Sequence, residues 1–233
     1  MENVSELSVF FPAYNEEGNI EATVRKAIKV LEDLKLQKYE VIIIDDGSRD
    51  DTGKIADELA HKNDKIKVIH QQNGGYGCAL RAGFNNAKLD WITYTDADGQ
   101  FDFSEVTKFI EKTAEADIIY SYKIKRNDNF FRVLAAKGWG LALFLFFGLK
   151  VWDVDTGFKM VNKKVLEKIP PLVSTRGGMI NAELVIKAQR AGFKVARVAV
   201  HHYPRLTGQS TGVNPRVVLK SFLDLLKLWW KIR

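Results

Sequence analysis

Asp96-Ala97-Asp98 follows a strand-like run, Trp91-Ile92-Thr93-Tyr94-Thr95, and leads into Gly99-Gln100-Phe101-Asp102. Two carboxylates one residue apart at a strand's end suit a divalent cation. A hard ion such as Mg²⁺ takes oxygens from one or two carboxylates and fills its other positions with water and substrate phosphates. The placement matters because open α/β sheets bind ligands beyond the carboxyl ends of their strands. Asp-x-Asp also occurs in ordinary turns, where Asp bonds its own backbone, so the triplet gains its weight from two further strand ends. These are Pro12-Ala13-Tyr14-Asn15-Glu16-Glu17 and Asp45-Asp46-Gly47-Ser48-Arg49-Asp50. On one edge of a parallel sheet, the three clusters would accept donors such as base and ribose hydrogens and would hold a metal. A plainer role for some of these residues is helix capping by Ser48 and Asp50, with Glu16 and Glu17 favouring the helix dipole. Capping does not account for Asp45 beside Asp46, nor for Asp98 followed by Gln100.

The elements that must carry these ends alternate strand and helix. Residues 7–11 read as an apolar strand ended by Pro12, and 16–36 as a helix with Ile20, Val24, Ala27, Ile28 and Leu31 along one stripe. Val41-Ile42-Ile43-Ile44 is an uninterrupted β-branched run, as expected of a strand covered on both faces. Helices follow over 50–62, 77–87 and 104–114, and strands over 66–70, 91–95 and 117–121. This rhythm predicts an α/β fold with a mainly parallel central sheet. In the second half the rhythm breaks. There 131–149 reads as an apolar helix, 155–161 as a returning strand, 181–191 as a helix, 194–200 as a strand and 213 onward as a last helix.

The chain has 233 residues, 46% of them hydrophobic, enough for one substantial core. The single cysteine, Cys78, excludes an internal disulfide framework and a zinc cluster, and the first residues lack the pattern of a signal peptide. The expectation is a reducing, cytoplasmic compartment. No linker divides the sequence, which reads as one domain over 1–212 with a helical appendage over 213–233. Of the net charge of +6, +4 lies in that appendage, with five basic residues against one acid.

Taken in order, Pro-Ala-Tyr-Asn-Glu, Ile-Asp-Asp-Gly-Ser-x-Asp-x-Thr and Asp-Ala-Asp-x-Gln resemble glycosyltransferase family 2. The resemblance is closest to its polyprenyl-phosphate, dolichyl-phosphate mannosyltransferase-like branch. It continues through Gly75-Tyr76-Gly77, Asp153-Val154-Asp155-Thr156-Gly157-Phe158-Lys159 and Tyr203-Pro204-Arg205-Leu206-Thr207-Gly208-Gln209-Ser210. It implies a single-domain nucleotide-sugar transferase type-A (Rossmann-like) fold and a metal-dependent, inverting transfer from a nucleotide-diphosphate sugar, GDP-mannose or a UDP-hexose, to a polyprenyl phosphate. Pro12, Tyr14, Glu16 and Asp46 would line the nucleotide pocket, with Asp45 near it. Asp96 and Asp98, joined by Ala97, would bind Mg²⁺ or Mn²⁺ and the donor, with Gln100 assisting. Arg205 would reach the donor phosphates, and the region after the fifth strand would meet the acceptor phosphate.

A lipid phosphate is already an anionic nucleophile and needs cations to hold it, a task arginine performs bidentately. Lys123, Lys125, Arg126 and Arg132 cluster after the fifth strand, and Arg126 and Arg132 are the candidates there. Lys123 stands where the family often has arginine. A hydroxyl acceptor, the alternative, needs a base, for which Asp153, Asp155 and Glu183 are the remaining acids. A dinucleotide oxidoreductase requires Gly-x-Gly-x-x-Gly after the first strand, and Pro12-Ala13-Tyr14-Asn15 is not that. A non-catalytic nucleotide-sugar-binding protein is disfavoured by the intact Asp96, Asp98 and Arg205.

Residues 138–149 carry no charge, and as a helix they span roughly 18 Å, too short for a hydrocarbon core of about 30 Å. They suit a core helix or a segment lying on a membrane. In the tail, Leu219, Phe222, Leu223, Leu226, Trp229 and Trp230 fall on one helical side and Arg216, Lys220, Asp224, Lys227 and Lys231 on the other. A wide apolar face, paired tryptophans and a basic face describe an interfacial helix, or equally one docked on the sheet. The expectation is peripheral contact with the cytoplasmic membrane face, directly or through a membrane-protein partner, with a homo-oligomer as a further possible assembly. The tail carries no groove-reading motif for nucleic acid.

Overall fold

The computed structural model describes residues 4–124, 130–148, 154–175, 178–205, 225, 226 and 228–230. Its centre is a seven-stranded sheet in the order β3-β2-β1-β4-β6-β5-β7. The strands are β1 (Glu6–Ala13), β2 (Lys38–Asp45), β3 (Ile66–His70), β4 (Trp91–Tyr94), β5 (Ile118–Lys123), β6 (Lys159–Asn162) and β7 (Val195–Val200). All run parallel except β6, which lies antiparallel between β4 and β5 as the expected returning strand. The chain builds outward from β1 through β2 to β3, then crosses back to lay β4 on the other side of β1. The loops leaving β1 and β4 therefore diverge from a common point, and such a switch point opens a crevice at the strands' carboxyl ends.

Strict alternation splits each central strand between two cores. Phe10, Ile42, Ile44 and Tyr94 face α3 (Tyr76–Asn86) and α7 (Met179–Arg190). Val9, Phe11, Val41 and Ile43 face α1 (Ile20–Asp33), α2 (Thr52–Lys62) and α4 (Val106–Lys112). The β-branched run at 41–44 is apolar throughout because both faces are covered. The first helix is shorter than the expected 16–36. Residues 14–19 are a turn with Asn15 at φ 55°, and Lys35, at φ 50°, closes the other end. The expected 104–114 helix is a 3₁₀ turn over Phe103–Glu105 that continues into α4.

The apolar segment forms α5 (Phe130–Phe147), followed after β6 begins by α6 (Lys163–Lys168). Ala142 and Leu143 of α5 are buried in the core, whereas Leu141, Phe144 and Leu145 are exposed, Leu145 by 69%. Among the described residues no helix is long and apolar enough to cross a membrane. Most of the expected tail helix lies outside the described residues. Leu225 and Leu228 are buried in the α5 core, Trp229 packs edge-on against Phe146 at 5.6 Å, and Trp230 is 79% exposed. Of the described tail residues, Leu226 and Trp230 face outward.

Phe10 stacks on Tyr94 at 5.1 Å and meets Phe84 edge-on at 5.2 Å, so its ring is held on two sides. Gly83 of α3 lies against that ring, and a methyl there would overlap it. Overpacking costs about 1–3 kcal/mol, against roughly 1 kcal/mol gained in helix propensity. Gly83→Ala is expected to lower the urea midpoint at unchanged m; a raised midpoint would show that the ring can yield.

Candidate active site

The loops after β1 and β2 are stitched together reciprocally. The Asn15 amide donates to Ser48 Oγ (3.0 Å), Arg49 N to Asn15 Oδ1 (2.8 Å), Glu16 N to Thr52 Oγ1 (2.7 Å), Glu17 N to Asp50 Oδ2 (3.2 Å) and Asp51 N to Glu17 Oε2 (3.0 Å). Ser48 therefore joins loops instead of capping a helix, and Glu17 bridges the same loops. Asp50 does both, since its Oδ1 also accepts from Thr52 N and Oγ1. The stitching fixes one wall of a crevice of about 510 Å³ lined by Pro12, Tyr14, Glu16, Asp46, Tyr76, Asp96, Ala97, Asp98 and Arg205. Asp46 secures the opposite lip. Its carboxylate accepts from Gln71 Nε2 (2.6 Å) and from the amides of Gly74 (2.9 Å) and Gly75 (2.8 Å).

Asp96 continues the face of Tyr94 toward α3. The Tyr76 hydroxyl hydrogen-bonds its carboxylate, Gly157 leaves no room for a side chain beside it, and its Oδ1 is shielded from water with no hydrogen-bond partner. Below lies Lys159, fully buried in β6, its ammonium donating to the Thr156 carbonyl and standing 5.7 Å over the Tyr94 ring. Burial pushes the Asp96 carboxyl up to about 7, with repulsion from Asp98 adding to it. Burial likewise pushes the Lys159 ammonium down to about 7, against the attraction of Asp155 and Asp96. A charge with so few partners in the interior is costly, and the attraction of Asp155, then of Asp96, offsets part of that cost. Lys159 and Tyr76 stand in the motifs quoted above, yet neither was a site candidate from sequence. The signal was a lysine inside an apolar strand, Phe158-Lys159-Met160-Val161.

Asp98 Oδ1 accepts from Gln100 N (3.0 Å) and its Oδ2 from Arg205 Nη2 (2.9 Å); the same Nη2 donates to Glu16 Oε1 (3.0 Å). Burial pushes the Glu16 carboxyl above its usual range, opposed by Asn19 and Arg205. Arg205 reaches the crevice from far along the chain because residues 100–101 and 202–203 pair. Tyr203 N donates to Gln100 O (2.8 Å), Gln100 Nε2 to Tyr203 O (2.9 Å), and Phe101 bridges His202. Gln100 thus clamps the Arg205 segment through its backbone carbonyl and its amide nitrogen, from just outside the crevice lining.

Asp45 turns away from the crevice. Its Oδ2 meets His70 Nδ1 (2.9 Å), whose Nε2 meets Asp57 (3.0 Å), and its Oδ1 accepts from Ser48 N (3.0 Å). Adjacent residues at a strand end point to opposite sides, so Asp46 faces the crevice and Asp45 steadies the Ser48 turn. Glu183, a candidate base, is fully buried and saturated by Val173 N, Ser174 N and Lys187 Nζ, the last at 2.6 Å. Asp155 is exposed, and Asp153 and Arg126 lie outside the described residues. Arg132 falls in the first turn of α5, and contacts of its side chain lie outside the description.

Comparison with known proteins bears on this crevice. The family model described as "Glycosyl transferase family 2" matches residues 8–170. Glycosyltransferase AglD of Haloferax volcanii is 29% identical over 97% of this chain and 37% of its own length. A dolichyl-phosphate beta-glucosyltransferase of Saccharomyces cerevisiae is 28% identical over 83% of this chain and 66% of its own. The chain therefore spans between about a third and two thirds of these relatives. Glucosyl-3-phosphoglycerate synthase of Mycobacterium tuberculosis, solved with Mn²⁺, UDP-glucose and phosphoglyceric acid, shares the fold. It aligns with a TM-score of 0.74 at 20% identity, over 97% of this chain and 80% of that one.

Hydrogen bonds that the His70 ring donates to Asp45, then to Asp57, raise its pKa above the ordinary 6.5. The stability this charged imidazole contributes is complete below about pH 6.5 and is lost as pH rises through the higher folded-state value. The gap in urea midpoint between the parent and His70→Ala is expected to be larger near pH 6 than near pH 9. Equal gaps would mean that His70 is not charged in the folded protein.

Proposed function

The chain belongs to glycosyltransferase family 2, and from that premise we propose that it moves one sugar, with inversion, from a nucleotide-diphosphate sugar to a polyprenyl phosphate. The observation that carries this reading is the crevice at the β1/β4 switch point. There Asp96 and Asp98 stand opposite Glu16 around the Arg205 guanidinium. The donor set fits a divalent cation. Asp96 has a carboxylate oxygen without a hydrogen-bond partner, and two carboxylates with water and substrate phosphates suffice for such an ion. Mg²⁺ or Mn²⁺ held by Asp96 and Asp98 would neutralise the charge that grows on the departing nucleotide diphosphate.

The residues divide the remaining work. Pro12, Tyr14 and Asp46 bound the nucleoside end, and Arg205 supplies a fixed cation for the diphosphate. An oxygen of the acceptor phosphate bonds to the anomeric carbon from the far side. The bond from that carbon to the donor phosphate oxygen breaks, and its electron pair leaves with the nucleoside diphosphate. No proton has to be removed, so no base is needed. The saturation of Glu183 supports this, as does the likeness to the yeast dolichyl-phosphate beta-glucosyltransferase. Arg126 and Arg132 would hold the acceptor phosphate. The exposed Leu141, Phe144 and Leu145, with Trp230, support peripheral contact with the membrane that carries a polyprenyl lipid. Residues 1–212 would form the catalytic unit and 213–233 an appended helix.

The test gives purified protein Mg²⁺ or Mn²⁺, a polyprenyl phosphate, and labelled GDP-mannose or UDP-glucose in parallel. Label is expected in the organic phase with one donor and is expected to vanish in Asp98→Ala. Asp155→Asn is expected to keep its single-turnover rate within a few-fold. A loss of roughly 10²-fold or more, with label on a hydroxyl acceptor, would replace the lipid-phosphate reading.

A further inference from the structure

Arg205 Nη2 lies between two carboxylates that arrive on different loops, Glu16 Oε1 at 3.0 Å and Asp98 Oδ2 at 2.9 Å. Asp98 Oδ1 is engaged by the Gln100 amide, so both oxygens of that carboxylate already have protein donors. The Arg205 side chain is itself three-quarters buried, at 23% exposure, and a guanidinium does not lose its proton. The two acids therefore share one permanent positive charge belonging to the chain, which offsets part of their own. A divalent ion arriving at Asp96 and Asp98 meets that positive charge a few ångströms away. Like charges so close in a crevice of low dielectric repel strongly.

We propose that Arg205 is an internal counter-ion occupying part of the cation site. It leaves Asp98 only when the diphosphate of the donor offers it a new partner, so metal and donor bind as a coupled pair. This rests on the function proposed above and adds an order to it. The metal alone binds weakly, because it must displace or tolerate the guanidinium. The nucleotide removes that obstacle by drawing Arg205 to its phosphates with charge-assisted, bidentate bonds. Linkage makes the effect reciprocal, so the metal strengthens nucleotide binding by the same factor. Side-chain rotation of Arg205 suffices, since the pairing of Gln100 and Tyr203 fixes its backbone beside the crevice. Glu16, released at the same moment, keeps its bond from Asn19 (2.8 Å).

The experiment measures Mn²⁺ binding by electron paramagnetic resonance, without nucleotide and with saturating UDP or GDP, in the parent, Arg205→Met and Arg205→Lys. Metal-free thermal unfolding checks that the variants are folded. Arg205→Met is expected to bind Mn²⁺ alone about 10-fold more tightly than the parent, while the enhancement by nucleotide shrinks by a similar factor. Arg205→Lys, which keeps the charge without the fork, is expected to fall between them. Simple loss of a phosphate contact would leave binding of the metal alone unchanged, so an unchanged or weakened Mn²⁺ affinity in Arg205→Met would overturn the exchange. A parent protein that bound neither Mn²⁺ nor nucleotide would overturn the proposed function as well.

Discussion

Four acids, Glu16, Asp46, Asp96 and Asp98, converge on one crevice, and the need to compensate them organises the rest of the molecule. Burying a carboxylate without a partner costs several kcal/mol, about as much as a domain's whole margin of stability. Each acid is met differently. Asp46 takes two backbone amides and a glutamine, Asp98 a backbone amide and an arginine, and Glu16 an asparagine and the same arginine. Asp96 has a tyrosine hydroxyl and a lysine buried below it, and keeps one oxygen without a hydrogen bond. The compensation is least complete where a ligand is expected to arrive. A site already satisfied at every atom would have nothing left to offer an incoming ion.

Compensation also explains why distant parts of the chain must meet. Arg205 is more than a hundred residues from Asp98, and the Gln100–Tyr203 pairing brings them together. Lys159 comes within the electrostatic reach of Asp96 because β6 is inserted beside β4, with Lys159 directly opposite Tyr94. The Glu183–Lys187 ion pair does similar work at a remove. It holds the amides of Val173 and Ser174, and that segment packs so tightly against α3 that Gly77 has no space for a side chain. Tyr76, the neighbour of Gly77, supplies the hydroxyl for Asp96.

Much of this is legible in the sequence because parallel strands bring their ends to one edge. Alternation and β-branching place β1, β2 and β4, and the carboxylates that follow them then share a crevice. The two-residue period carries less far into the turns. Whether Asp45 or Asp46 faces the ligand depends on where the strand stops, and His70, twenty-five residues on, settles it by bonding Asp45. Gln100 holds Tyr203 through its amide nitrogen, a contact no local pattern announces. Lys159 is obscured for the opposite reason. Local rules read a lone lysine in a strand as an edge or a surface, and only the register of β6 makes it interior.

The antiparallel β6 has a further bearing on how the molecule comes to exist. β3, β2, β1 and β4 are all complete by residue 94 and pair without help from later sequence. β5 is made next but cannot join that sheet directly, because the strand that belongs between it and β4 ends only at Asn162. During synthesis, at about 5–20 residues per second, the emerging chain carries bare hydrogen-bonding edges on β4 and β5 for several seconds. Exposed edges of that kind invite pairing with other chains. A nascent protein with this topology is thus most vulnerable midway through translation, before its fourth and fifth strands acquire the neighbour they share.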